Sequence, residues 1–184
     1  MIRAAGVVAA PTDTLVGLLA LATSDEAVRR VLAIKGPGRE APLPVLLPDV
    51  ESVQLVAEDI RPIALRLAER LWPGPLTLVL RAKEGVLGRG VASASGTVGV
   101  RVPGPSPALE VLRAVRAPLT GTSANQSGHP APVATDDIED SVLSAVDLVL
   151  PGRCAIAAAS AVVDVTGDTP RVLRKGPGIE GLLV

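Results

Sequence analysis

An α/β fold with a mixed sheet follows from three features of the sequence. Short apolar runs of strand length mix with helical segments in no repeating order, the runs end in proline, glycine or small hydroxyl residues, and charges interrupt every apolar stretch before it reaches the roughly 18 residues of a membrane span. At 184 residues the chain is read as one domain, 1–184, long enough to bury a sizeable core.

Gly6 to Ala10 is an apolar run closed by Pro11, which suits a buried strand feeding the polar loop Thr12-Asp13-Thr14. Thr23 and Glu26 have capping-box spacing, predicting a helix through Lys35 that Gly36-Pro37-Gly38 ends. A strand is expected over Leu43 to Leu47. Ile60, Ile63, Ala64, Leu67 and Leu71 recur at helical spacing, so Asp59 to Leu71 reads as an amphipathic helix stopped by Trp72-Pro73-Gly74-Pro75. Leu76 to Leu80 and Thr97 to Val102 read as strands. Ser106-Pro107 pairs a capping residue with proline at the first helical position, predicting a helix to about Val115. Pro118 to Thr120 leads into Thr122-Ser123-Ala124-Asn125-Gln126-Ser127-Gly128, a small-residue turn by composition. Thr135-Asp136-Asp137 opens a further helix, and Leu148 to Leu150, Ala161 to Val165 and Val172 to Arg174 read as closing strands.

Composition excludes several function classes. The single cysteine, Cys154, and the single histidine, His129, cannot build a disulfide or a zinc cluster, so no protein metal site is expected. Net charge is −1, which gives no bulk signal for nucleic acid or anionic membrane. Trp72 is the only aromatic ring, so serial stacking of bases on aromatic side chains is excluded. The first residues run directly into a strand-like segment without a signal-peptide core, which points to the cytoplasm.

The phosphate-loop pattern is absent, and neither Gly36-Pro37-Gly38 nor Gly88-Arg89-Gly90 continues into a dinucleotide fingerprint. No nucleophile elbow surrounds any serine, and His129 lies in a Gly-Pro loop, which disfavours a Ser-His-Asp triad. Asp136-Asp137 and Glu139-Asp140 read as helix-dipole partners rather than metal ligands. What remains is a set of strand-end loops carrying single cations and hydroxyls: Lys35, Arg39, Arg101, Ser123 with Asn125, Ser160 and Arg174. Arginine forks, a compact ammonium and short hydroxyl or amide donors suit phosphate and carboxylate. Each has an equally plausible structural use alone; together they point to an anion-handling cleft.

On these motifs the chain resembles the YrdC/Sua5 family, the threonylcarbamoyl-AMP synthases. Pro11-Thr12-Asp13-Thr14 with Gly17-Leu18 resembles the family's P-T-D/E-T-x-x-G-L, and Trp72 to Thr77 is its W-P-G-P-L-T. Thr97 to Pro103 resembles T-V-G-V-R-x-P, Ser123 to Gly128 resembles S-A-N-x-S-G, Ser160 to Asp164 resembles S-T-V-V-D, and Leu173 to Gly176 resembles L-R-x-G. The resemblance implies a twisted mixed sheet with helices around a large open cleft. It also implies a nucleotidyltransferase that joins L-threonine, bicarbonate and ATP into threonylcarbamoyl-adenylate and pyrophosphate, for threonylcarbamoyladenosine modification of tRNA. Threonine would be held by Thr12 or Thr14, Arg101, the backbone near Gly121 and Ser160; ATP would be held by Lys35, Thr97, Ser123, Asn125 and Arg174. Magnesium would arrive with ATP, and a tRNA threonylcarbamoyl transferase complex would use the product.

The sequence also departs from the family pattern. Where the family reads K-x-R-P, Lys35-Gly36-Pro37-Gly38 puts proline in place of an ATP-contacting arginine, and Arg39 is the nearby substitute. Val16, Ala41, Pro105 and Ala161 replace an aromatic, an asparagine, a histidine and a threonine common in the family. A second reading therefore stands beside the synthase: a divergent, non-catalytic YrdC-like paralogue that binds double-stranded RNA or nucleotide.

Overall fold

The computed structural model describes residues 1–37 and 41–179. Among the described residues eleven strands, β1 (Val8–Pro11), β2 (Val16–Leu19), β3 (Val45–Leu46), β4 (Ala57–Glu58), β5 (Leu76–Ala82), β6 (Thr97–Arg101), β7 (Leu119–Thr120), β8 (Thr122–Ser123), β9 (Leu148–Val149), β10 (Ala161–Asp164) and β11 (Arg171–Arg174), are interspersed with four α-helices. The helices are α1 (Asp25–Lys35), α2 (Pro62–Leu71), α3 (Pro107–Val115) and α4 (Asp140–Leu143).

The expected mixed sheet is present, and a smaller one stands beside it. The larger runs β11-β10-β5-β6-β3-β7, with β4 on β5; the smaller runs β8-β2-β1-β9. Both mix directions: β10 is parallel to β5 and β3 to β6, while β5–β6 and β10–β11 are antiparallel. The chain crosses between the sheets at one residue, Gly121, between β7 and β8. An ideal Cβ on Gly121 would lie 2.4 Å from Leu46 Cγ, so only glycine allows this approach.

Strand β1 is buried on both faces, which explains its unbroken apolar run. Val7 and Ala9 join the main core with Val28 and Val31 of α1, while Val8 and Ala10 join a second cluster with Ala108 and Leu112 of α3.

Several boundaries differ from the sequence expectation. The cap of α1 is Ser24, whose hydroxyl accepts from Ala27 N–H, rather than its neighbour Thr23. Helix α2 begins at Pro62, because Asp59 has φ +50° and Ala57–Glu58 is drawn into pairing with β5. Strand β2 and a 3₁₀ turn at Glu51–Leu55 were not expected. The opening of the small-residue turn is a strand, with Gly17 opposite Ser123. Thr135–Asp137 forms one 3₁₀ turn before the short α4. The expected start of α3 is observed: the Ser106 hydroxyl accepts from Leu109 N–H and Pro107 opens the helix.

Candidate active site: a cavity between two sheets

A cavity of about 520 Å³ lies where the two sheets meet. The smaller sheet and its loops contribute Thr12, Thr14, Gly17, Thr122 and Ser123; the larger sheet contributes Leu46, Thr77, Val79, Thr97, Gly99, Arg101, Val162 and Arg174. Strand register orders this second wall into rows. Leu46 aligns with Arg101, Val162 aligns with both Thr77 and Arg174, and extending the β5–β6 pairing by one places Thr77 opposite Arg101. The next row along the strands holds Val79 opposite Gly99, and the third holds Arg81 opposite Thr97. Aligned residues share a sheet face, so the wall passes from a row that carries two arginines to a neutral strip and then to Thr97.

Arg101 is 5% exposed. Its Nε donates to Gly74 O at 2.8 Å, Nη1 donates to Thr14 Oγ1 at 2.7 Å, and Nη2 pairs with Asp13 Oδ1. The Trp72–Pro75 turn is set to receive it: Trp72 Nε1 donates to Leu76 O, and Gly74 N–H donates to Val102 O. Burial lowers the Arg101 pKa while Asp13 opposes that shift. Thr12 gives its only proton to Leu15 O at 2.7 Å and accepts from Thr14 N–H at 3.0 Å and Leu15 N–H at 3.2 Å, while the Thr14 hydroxyl, 2.9 Å from Thr12 Oγ1, accepts from Arg101. A guanidinium has five N–H groups, so two of those on Arg101 remain for a ligand anion.

Across the row, Thr77 Oγ1 lies 2.9 Å from Ser160 Oγ, and Arg174 donates from Nε to Ser160 O at 2.9 Å and from Nη2 to Ser160 Oγ at 3.2 Å. Partial burial lowers the Arg174 pKa. Gly176 backs this corner; a Cβ there would come within 2.4 Å of Ala161 N.

The structure brings Thr12, Thr14, Thr97, Arg101, Gly121, Ser123, Ser160 and Arg174 onto one cavity. Lys35 and Asn125 lie behind it. The Lys35 ammonium, at the end of α1, donates to Ser123 O at 2.8 Å, to Asn125 O and to Asn125 Oδ1 at 3.0 Å, while Lys35 O accepts from Ser127 N–H. Asn125 Nδ2 donates to Gln126 O and His129 O. Both residues hold the loop that carries Ser123. Arg39 falls outside the described residues.

Sequence reasoning missed Asp13, Thr77, Ser93 and Ser95. Asp13 and Thr77 lay inside recognised motifs without a role, and Ser93 and Ser95 lay just before one. His129 pairs with Glu139 at 2.9 Å on the surface, and Cys154 is buried; neither lines the cavity. Among the described residues no three His, Cys, Asp or Glu side chains form a possible metal site, and no helix is long and apolar enough to cross a membrane.

Residues 1–176 match the Sua5/YciO/YrdC family, described as "Telomere recombination". The chain belongs to this family. A Pyrococcus abyssi protein named threonylcarbamoyl-AMP synthase is 35% identical over 176 residues, covering 95% of this chain and 52% of its own. The fold also matches the crystal structure of P. abyssi Sua5 complexed with L-threonine, with a TM-score of 0.89, 35% identity, and coverage of 94% of this chain and 51% of that one. Escherichia coli YciO matches with a TM-score of 0.86 and 26% identity over 100% of this chain and 89% of its own. The chain thus spans about half the length of the P. abyssi relative.

Proposed function

We propose that this Sua5/YciO/YrdC-family protein is a threonylcarbamoyl-AMP synthase, a nucleotidyltransferase that consumes L-threonine, bicarbonate and ATP. The observation that carries the reading is the buried Arg101, oriented by Asp13, Gly74 O and Thr14 with two N–H groups left for a carboxylate. The L-threonine complex of P. abyssi Sua5 supports the same substrate here.

The threonine carboxylate would meet Arg101, with Thr14 and Ser160 as neighbouring hydroxyls. Threonine amine and bicarbonate would form a carbamate with loss of water, and a carbamate oxygen would attack the α-phosphorus of ATP and expel pyrophosphate. Such a reaction needs positioned anions and excluded water more than a protein nucleophile, which suits a cavity lined by hydroxyls and two arginines. Arg174 would stabilise charge on the phosphates, Ser123 and Thr97 would bond the nucleotide, and Lys35 and Asn125 would keep Ser123 in place. Magnesium would enter as part of the ATP complex. The product would serve tRNA modification through a transferase complex in the cytoplasm.

Pro37 at the position of the family's arginine, together with Lys35 held against the 123–125 loop, favours one second reading: a nucleotide binder without turnover. Pyrophosphate release from ATP, measured with and without L-threonine and bicarbonate, separates the two. Release that requires both substrates supports the synthase; ATP binding without such release supports the binder. Arg101→Ala is expected to weaken threonine binding and Ser123→Ala to weaken ATP binding in calorimetry.

A further inference from the structure

We propose that His129 is a positioning residue for Ser123: its pairing with Glu139 latches the 124–129 loop to the start of α4, and Asn125 carries that hold to the Ser123 hydroxyl. The inference rests on Ser123 as a nucleotide contact and adds two residues that lie outside the cavity.

Ser123 lines the cavity at the end of β8, where Ala124 N–H donates to Val16 O of β2; the chain returns to β2 at Pro132, whose carbonyl accepts from Val16 N–H. The span between them turns back on itself, with Gly128 at φ +88° and His129 N–H donating to Gln126 O at 3.1 Å. Asn125 is the hub of this turn. Its Oδ1 accepts from Ser123 Oγ at 2.5 Å and from Lys35 Nζ at 3.0 Å, while Nδ2 donates to Gln126 O at 2.8 Å and to His129 O at 2.6 Å. Both amide protons are thus used, and Ser123 gives its only proton to Asn125 so that its lone pairs are left for a ligand. The amide is planar, so a shift of His129 O turns Oδ1 as well and redirects the Ser123 hydroxyl.

The outer end of this chain of bonds is the His129 ring. Nδ1 lies 2.9 Å from Glu139 Oε1 and 3.0 Å from Oε2. A carboxylate only accepts, so Nδ1 carries the proton and shares it between both oxygens. Glu139 is a fixed post. Its carbonyl accepts from Val142 and Leu143 N–H, its side chain makes no capping bond, and its neighbours Ile138 and Val142 are buried in the main core. Lys35 therefore holds the loop from the end of α1, and Glu139 holds it from the surface. The ring and the carboxylate are 53% and 34% exposed, which gives the pair the modest worth of a surface contact.

Calorimetry with ATP, amide exchange over residues 123–127 and side-chain nitrogen NMR test the role. His129→Ala is expected to weaken ATP binding about two- to five-fold and to quicken exchange in the loop. His129→Asn, whose amide nitrogen can stand where Nδ1 does, should restore both. Glu139→Ala should match His129→Ala, and the double variant should be no worse than either, because one interaction is being removed twice. In a Ser123→Ala background the ATP loss caused by His129→Ala should vanish. The chain has one histidine, so its ring signals are unambiguous, and Nδ1 should be protonated across neutral pH in the wild type. A neutral ring protonated on Nε2, additive losses in the double variant, or unchanged loop exchange in His129→Ala would overturn the latch. An ATP loss that persists without the Ser123 hydroxyl would overturn the positioning of Ser123. Wild-type protein that binds no ATP would overturn the nucleotide reading and with it the role in binding, while loop exchange and the ring signals would still decide the latch.

Discussion

Arg101 and Asp13 form an ion pair in which each side chain is only 7% exposed. Removing one member of a buried pair strands the other charge. Asp13→Asn is therefore expected to cost roughly 3–5 kcal/mol of folding stability, read from urea unfolding, and to weaken threonine binding through a misplaced guanidinium. Arg101→Lys would keep the charge but lose the planar fork that reaches Gly74 O, Thr14 and Asp13 together. It should bind threonine more weakly than the wild type in the same calorimetric assay.

Lys35 is expected to act on the nucleotide through the loop it holds. Lys35→Met replaces the ammonium with an apolar side chain of similar length and removes a donor from Ser123 O, Asn125 O and Asn125 Oδ1, of which Oδ1 keeps the Ser123 hydroxyl. The loss should be about 2–3 kcal/mol, the range for hydrogen bonds to a charged group, with faster amide exchange at residues 123–127. Unchanged exchange in that loop would show that the contact does not position it.

Gly121 makes a sharper steric test. In Gly121→Ala the new methyl would overlap Leu46, which also lines the cavity. Leu46 must move or the sheets must part, so about 1–3 kcal/mol of destabilisation is expected, as for an overpacked core. Ligand affinity should fall as well, because the displaced leucine alters the wall beside Arg101. An isolated loss of stability with unchanged ligand binding would place the strain away from the cavity.

How much of this was legible in the sequence depends on the range of the interactions. Ser106-Pro107 marked the start of α3 because a cap acts within one turn, and Arg101, Ser160 and Arg174 stood out as single polar residues at strand ends. Thr23 and Ser24 are adjacent hydroxyls, and only backbone direction decides between them. Strand β2 was hidden because Val16-Gly17-Leu18-Leu19 is buried on every residue and shows no alternation. Asp13 and Arg101 are 88 residues apart, and the partners of Lys35 lie 88 and 90 residues away, so neither pairing has a local signature. The second sheet turned on Gly121, a glycine beside strand-like residues, which is a usable signal of close approach.

Acid should loosen the seam between β1 and β9. Asp147 accepts from Arg30 and from Val7 N–H, and these bonds, Arg30 first, hold its carboxyl below the ordinary value of 3.8. A depressed folded-state pKa adds stability that is complete above the unfolded value and is lost as pH falls through the folded one. The stabilisation should therefore persist at pH 5 and above and fade below about pH 4. Asp147→Asn should be less stable than wild type at neutral pH and should approach it in acid, a convergence that chemical unfolding at several pH values would read. Because the pair is about one-third exposed, the gap should also shrink in high salt.

Cys154 offers a chemical test of the wall behind Arg101. Burial pushes its thiol pKa above the ordinary value, outweighing the Thr12 N–H bond that favours the thiolate. The thiolate is the reactive form, and the side chain is enclosed, so two factors slow its chemistry. Native protein at pH 8 is expected to react with an aromatic disulfide reagent far more slowly than urea-unfolded protein. Asp13→Asn should accelerate the native reaction, because loosening the 12–14 loop exposes the sulfur and weakens the neighbouring negative charge that opposes ionisation. A native rate equal to the unfolded one would place Cys154 at the surface and contradict the packing of β1 against the 152–156 segment.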